Sequence, residues 1–177
     1  MKITNVYRNG DKEINEGAFV VNVAKNIYAV IDGATGLDGI PGHIASYTIK
    51  EELEQKNRSS SLLEQIKSGN KKLANHSISY FNQWIEKIAG FEEIQRNQRS
   101  SAGIAAIQID EHDNSFEYVH AGDCMLFLQF DNGEIRTVTY DFVKHLDQIA
   151  IKEMVRLRTE NDSTNLVELR EKLIQFY

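Results

Sequence analysis

The order of apolar and polar residues predicts strands at the start of the chain. Residues 17–23 and 26–32 are short runs rich in β-branched and aromatic side chains, and the step at Ala24 and Lys25 separates them. Two such runs joined by a very short connection are typical of an antiparallel hairpin. We therefore expect the first two strands to pair with each other.

A helical period follows. Pro41 can open a helix at its first turn, where its missing N–H costs nothing, and apolar residues recur after it at Ile44, Ala45, Ile49 and Leu53. Ser61 and Glu64 have the spacing of a capping box and predict the start of a second helix. Its apolar stripe runs towards Gly90, and Gly69-Asn70 is a point where it could divide into two. The stripe, which we expect in the core, contains Leu62, Ile66, Leu73, Phe81, Trp84, Ile85 and Ile88.

From residue 101 the period changes to two. The segments 101–110, 115–123 and 124–130 are strand-like, and the turn at 131–133 leads into a further strand at 134–140. This pattern predicts a β-meander. Beyond it, apolar residues at three- and four-residue spacing predict helices within 145–158 and 165–176.

Runs of strands separated from runs of helices indicate an α+β fold with antiparallel sheet and helices packed on it. The length of 177 residues and the 41% of hydrophobic residues predict one domain, residues 1–177. The parallel nucleotide-binding folds are disfavoured, because the strands and helices do not alternate regularly and no G-x-G-x-x-G or P-loop motif occurs.

Composition narrows the class of function. The net charge of −6, without a Lys/Arg-rich stripe, argues against a nucleic-acid partner. No signal peptide and no run of about 18 apolar residues is found, so we expect a soluble, cytoplasmic protein that does not bind membranes. The one cysteine, Cys124, cannot form an internal disulfide, and no Cys/His spacing suggests zinc.

Two aspartates occupy equivalent positions. Asp32 ends one strand-like run with Gly33 after it, and Asp123 ends another with Gly122 before it. If both strands end at the same edge, the carboxylates converge and could hold Mg²⁺ or Mn²⁺. The alternative is that both are ordinary turn residues. Glu16, just before the first strand, is either a third ligand at this rim or a solvated charge.

Five blocks of the sequence then form a recognisable series. In order they read INEGAFVV, YAVIDGATG, HIASYTIKEEL, SSAGIAAIQI and YVHAGDCMLFL. They resemble the successive motifs of the metal-dependent PP2C-type (PPM) serine/threonine phosphatases over about residues 12–145. The resemblance implies an αββα sandwich, in which two antiparallel sheets are flanked by helices.

The resemblance also implies an activity and roles for single residues. Asp32 would bridge two Mn²⁺ or Mg²⁺ ions, Gly33 would offer its carbonyl to one of them, and Asp123 would serve a further metal position. Glu16 would hold metal-bound water. Lys12 stands where the family has an arginine that binds the substrate phosphate. The reaction implied is attack of a metal-activated water on the phosphoserine or phosphothreonine of a phosphoprotein, without a protein nucleophile.

The sequence also departs from the family. Gly17 replaces an aspartate, Ala34 follows Gly33 where no histidine is found, and Cys124-Met125 replaces the Ser-Arg of the fifth block. The last two aspartate-bearing blocks of the family, with the last strands, do not occur in the 177 residues. The chain is therefore either part of a longer phosphatase or a catalytically inactive PP2C-like module that binds a protein partner. Asp38 and Asp141 could supply further ligands or could be a loop residue and a helix cap.

Overall fold

The computed structural model describes residues 2–9, 13–55 and 60–160. The helix expected within 165–176 and the candidate phosphate contact Lys12 lie outside the described residues. No helix in the part of the chain that is described is both long enough and apolar enough to cross a membrane.

Four antiparallel strands form the main sheet. They are β1 (Gly17–Asn22), β2 (Ile27–Ala34), β3 (Ser101–Asp110) and β4 (Ser115–Ala121), and they lie in the order β1-β2-β3-β4. The expected pairing of the first two strands is confirmed. Because side chains alternate along a strand, one face carries the aligned row Val20, Ala29, Ala106 and Val119.

Two helices cover that face. Helix α1 (Gly42–Glu54) lies against β1 and β2, and α2 (Leu62–Trp84) packs beside α1. The α+β prediction is confirmed. The core between sheet and helices consists of Ala18, Val20, Ile27, Ala29, Ile31, Ile49, Leu53, Leu62, Ile104 and Ala106.

The N-terminus of α2 follows the prediction, since the Ser61 hydroxyl accepts a hydrogen bond from the Glu64 N–H at 3.3 Å. Gly69 does not divide the helix. A Cβ on Gly69 would lie 2.7 Å from Cδ1 of Ile49, so the missing side chain lets α2 approach α1 closely. The prediction that Trp84 is core is wrong: it is the last residue of α2 and is 67% exposed.

An ion pair between a buried glutamate and an exposed lysine also joins the two helices. Glu52 of α1 has a fully buried side chain, and its Oε2 lies 2.5 Å from Nζ of Lys72 on α2. The amide of Gln55 donates to the same oxygen at 3.0 Å. These bonds offset much of the cost of burying the carboxylate.

Truncating the core should destabilise the fold strongly. Leu53 is completely buried between α1 and the sheet, so Leu53→Ala should lower the free energy of unfolding by about 2–5 kcal/mol. The matched control is Leu63→Ala, because Leu63 is an exposed leucine on α2. Urea unfolding followed by circular dichroism measures both variants, and equal midpoints would contradict this placement of the core.

The predicted meander does not continue as one sheet beyond β4, although the hairpin expected at the turn 131–133 is confirmed. Strands β5 (Phe127–Gln129) and β6 (Ile135–Thr137) form a separate two-stranded sheet, shorter than the predicted segments. Gly122, with φ of 82°, turns the chain away after β4. Helix α3 (Lys144–Glu160) follows and confirms the helix expected within 145–158.

Candidate functional site

Asp32 lies near the end of β2, between two glycines of the neighbouring strands. Its partners in the sheet are Gly17 on β1 and Gly103 on β3. It lies on the opposite face from Ile31, which is buried under the helices. Since neither strand neighbour has a side chain, the exposed carboxylate is lined there by groups from other segments, such as the Asn15 side chain beside Gly17.

The loop after β4 brings Asp123 to the same place. A Cβ on Gly103 would lie 3.2 Å from Oδ1 of Asp123 and 3.6 Å from Sγ of Cys124. Gly103 is the direct strand partner of Asp32. The two aspartates singled out in the sequence therefore lie around one glycine, although they are about 90 residues apart in the chain.

The thiol of Cys124 is close to both carboxylates. Burial raises the pKa of this thiol most, and the negative charges of Asp123 and then Asp32 raise it further. Hydrogen bonds from the backbone of Asp32 and Ala105 act in the opposite direction. Cys124 is thus a protonated, half-buried thiol at neutral pH, and it reports on the charge of its two acidic neighbours.

This proximity predicts the reactivity of Cys124. Removing either charge lowers the pKa of the thiol and raises its thiolate fraction, so Asp123→Asn and Asp32→Asn should both be alkylated by iodoacetamide severalfold faster than the wild type. Asp123→Asn should show the larger increase. Asp131→Asn, in the exposed turn of the β5–β6 hairpin, is the control. Mass spectrometry over time measures the rates, and equal rates in all four proteins would contradict the clustering.

Glu16 directly precedes β1 in the chain, and its side chain contacts the first residue of α1. Its Oε1 accepts hydrogen bonds from the Thr35 hydroxyl and from the backbone N–H of Gly42, the latter at 3.0 Å. Its carbonyl oxygen accepts from the Gly33 N–H at 3.1 Å and from the Ser46 hydroxyl at 2.6 Å. Both ends of Glu16 are therefore bound within the protein.

The two further candidate ligands, Asp141 and Asp38, lie at a helix start and in a loop. Oδ1 of Asp141 accepts from the N–H groups of Val143 and Lys144 at 3.0 and 2.8 Å, which is the helix-cap alternative. Asp38 is an exposed loop residue with φ of 47°. His120, on β4, is no ligand candidate of this kind; its ring packs against Phe142 at 5.2 Å between ring centroids.

Sequence reasoning missed Thr35 and Gly103. Thr35 could have been found from α1 itself, because Pro41 precedes this helix and cannot cap it with a side chain, so that a hydroxyl or carboxylate from elsewhere is needed. Gly103 had no local signal, since its importance arises from the register of β2 and β3.

The oxygen donors fit one divalent cation better than two. Mg²⁺ is commonly bound through one or two carboxylates, with waters completing its shell, and Asp32 and Asp123 place two carboxylates around Gly103. Within residues 2–9, 13–55 and 60–160, no group of three or more His, Cys, Asp or Glu side chains is arranged to hold a metal ion. The described residues alone therefore do not compensate the charge of two cations.

No protein-family model matches the chain, and no curated protein matches it either. Among solved structures it is similar to PppA, a key regulatory component of T6SS in Pseudomonas aeruginosa, with a TM-score of 0.52 and 18% identity over 77% of this chain and 55% of that one. The chain has a PP2C-like fold. The resemblance drawn from the five sequence blocks is thus confirmed for the fold.

Two further structures are similar at TM-scores of 0.48. One is the PPM Ser-Thr phosphatase MsPP from Mycobacterium smegmatis in complex with cacodylate, at 21% identity over 73% of this chain and 48% of that one. The other is a bacterial serine phosphatase with a point substitution, at 16% identity over 78% and 54%. The PP2C-like chain spans about half the length of the solved structures it matches.

Proposed function

We propose that this protein is a metal-dependent phosphatase acting on phosphoserine and phosphothreonine in proteins. The observation that carries the proposal is the approach of Asp32 and Asp123 to each other around Gly103. In this proposal the two carboxylates hold a Mn²⁺ or Mg²⁺ ion, and the Gly33 carbonyl is a further oxygen donor. When bound, such an ion supplies an activated water and neutralises charge on the phosphate.

The residues of this chain would then orient the substrate and the ion. Glycines on both sides of Asp32 place no side chain of β1 or β3 next to its carboxylate, so that Asp123 from the loop after β4 can share the cation. Lys12 is proposed to contribute positive charge to the substrate phosphate. A lysine offers a point charge there rather than the paired hydrogen bonds of an arginine, so we expect weaker phosphate binding than arginine would give.

A second candidate function is a PP2C-like module without catalysis, which binds a protein or a phosphoprotein. Two observations favour it. The Glu16 carboxylate is already bonded to Thr35 and to the start of α1, and Gly17 offers no carboxylate beside Asp32. A module of this kind would keep the fold without retaining a complete metal site.

Phosphate release from a phosphothreonine peptide tests the proposal. The protein is incubated with the peptide in the presence of Mn²⁺, in Mg²⁺ and in chelator, and free phosphate is measured. Turnover that requires the cation supports the phosphatase. Binding of the intact phosphopeptide without turnover under all three conditions supports the non-catalytic module, and cation-independent turnover contradicts both.

A further inference from the structure

Glu16 connects three segments that surround Asp32. Its carboxylate binds the Thr35 hydroxyl, in the loop after β2, and the N–H of Gly42, the first residue of α1. Oγ1 of Thr35 lies 3.0 Å from the same N–H. We name this group of Glu16, Thr35 and Gly42 the clasp.

The clasp supplies a cap that α1 lacks. Pro41 occupies the N-cap position and makes no side-chain hydrogen bond, and the first turn of α1 contains no acidic residue. An N-terminus with unsatisfied N–H groups attracts a negative charge. Glu16, which is 26 residues away in the chain, provides that charge.

The clasp also fixes the backbone beside Asp32. Gly33 and Gly42 are in direct contact, because a Cβ on Gly33 would lie only 2.3 Å from the carbonyl oxygen of Gly42. The Gly33 N–H is in addition bonded to the carbonyl of Glu16. The position of the Asp32-Gly33 step therefore depends on the position of the first residue of α1, and the clasp binds the N–H of that residue.

We propose that Glu16 and Thr35 are positioning residues, which hold the Asp32-Gly33 backbone in place through the clasp. The resemblance alone would instead let Glu16 act directly on metal-bound water. The effect of the clasp on a bound cation rests on the proposed function. Its effect on the order of the Asp32-Gly33 backbone does not. Because Glu16 and Thr35 are hydrogen-bonded to each other, we also expect them to act as one unit.

Amide hydrogen exchange tests the ordering itself. In Glu16→Gln and Thr35→Val, the amides of Gly33 and Gly42 should exchange at least about tenfold faster than in the wild type, since local opening there becomes easier. Thr35→Ser keeps the hydroxyl and should restore slow exchange. Glu51→Gln, on the exposed side of α1, is the matched control. Unchanged exchange in both clasp variants overturns the proposal, whether or not the protein binds metal.

Calorimetric titration with Mn²⁺ tests the consequence for the ion. Each clasp variant should weaken Mn²⁺ binding about tenfold, and the double variant should be no weaker than either single one, because residues that act as a unit are not additive. If the loss of Mn²⁺ affinity in the double variant equalled the product of the two single losses, Glu16 would act on the ion independently of Thr35. That result would overturn the proposal. A wild type that binds no Mn²⁺ would contradict the proposed function, while the exchange result would still decide the clasp.

Loss of general stability has a separate control. The Thr48 hydroxyl, six residues after Gly42 on α1, bonds to His76 on α2 at 2.9 Å and takes no part in the clasp. Thr48→Ala should lower the melting temperature while leaving both Mn²⁺ affinity and the exchange of Gly33 unchanged. If Thr48→Ala lowered the affinity for Mn²⁺ as much as Thr35→Val does, the effect of Thr35→Val would come from a general loss of stability, and the positioning role would be wrong.

Discussion

Asp32→Asn is expected to lose nearly all of the proposed cation-dependent phosphatase activity. The substitution keeps the shape of the side chain but removes the charge, and a carboxylate that holds a catalytic cation contributes several kcal/mol to the transition state, or about a hundredfold or more in kcat/KM. The activity of the wild type and of the variant is compared on a phosphothreonine peptide at saturating Mn²⁺.

Asp131→Asn serves as the control, because it makes the same chemical change in the exposed turn between β5 and β6. It should retain wild-type kcat/KM. An Asp32→Asn protein that is folded and hydrolyses the peptide within a factor of about two of the wild type would exclude Asp32 from the reaction, since a lost metal ligand costs far more than this.

Gly33→Ala is expected to destabilise the fold strongly. The new Cβ would lie 2.3 Å from the carbonyl oxygen of Gly42 and 2.7 Å from that of Glu16. Both atoms belong to the backbone, so β2 or α1 has to move, and overpacking of this kind costs about 3 kcal/mol. For a chain of this size the melting temperature should fall by roughly 6–12 °C.

Gly90→Ala is the matched control, because nothing lies within 4 Å of the Cβ it would add. Its melting temperature should stay within about 2 °C of the wild type, as for most surface substitutions. Scanning calorimetry compares the two variants directly. Equal melting temperatures would show that the Gly33 and Gly42 backbones are not in contact.

The sequence predicts the main sheet and its helices because their patterns are local. The two-residue period of β1 to β4 and the Ser61 cap are each read within a few neighbouring residues. The same local spacing wrongly predicts that Trp84 is in the core. It continues the apolar spacing of α2, but the helix ends there, and no element within the described residues covers this last turn closely enough to bury the ring.

The site is only partly predictable in the same way. Asp32 and Asp123 could be selected because each lies beside a glycine at the end of a strand-like run. That they share Gly103 is a consequence of strand register and of the turn at Gly122, which the sequence does not specify locally. The bonding of Glu16 to Thr35 likewise depends on how β1, β2 and α1 pack.

Calorimetric titration of the wild type, Asp32→Asn and Asp123→Asn with Mn²⁺ tests most directly whether the two aspartates hold one cation. The wild type should bind, and each single variant should lose at least about tenfold in affinity, since each removes a charged oxygen ligand. Asp131→Asn should bind as the wild type does. Absence of binding by the wild type, or equal affinity in all four proteins, would contradict a metal site formed by Asp32 and Asp123.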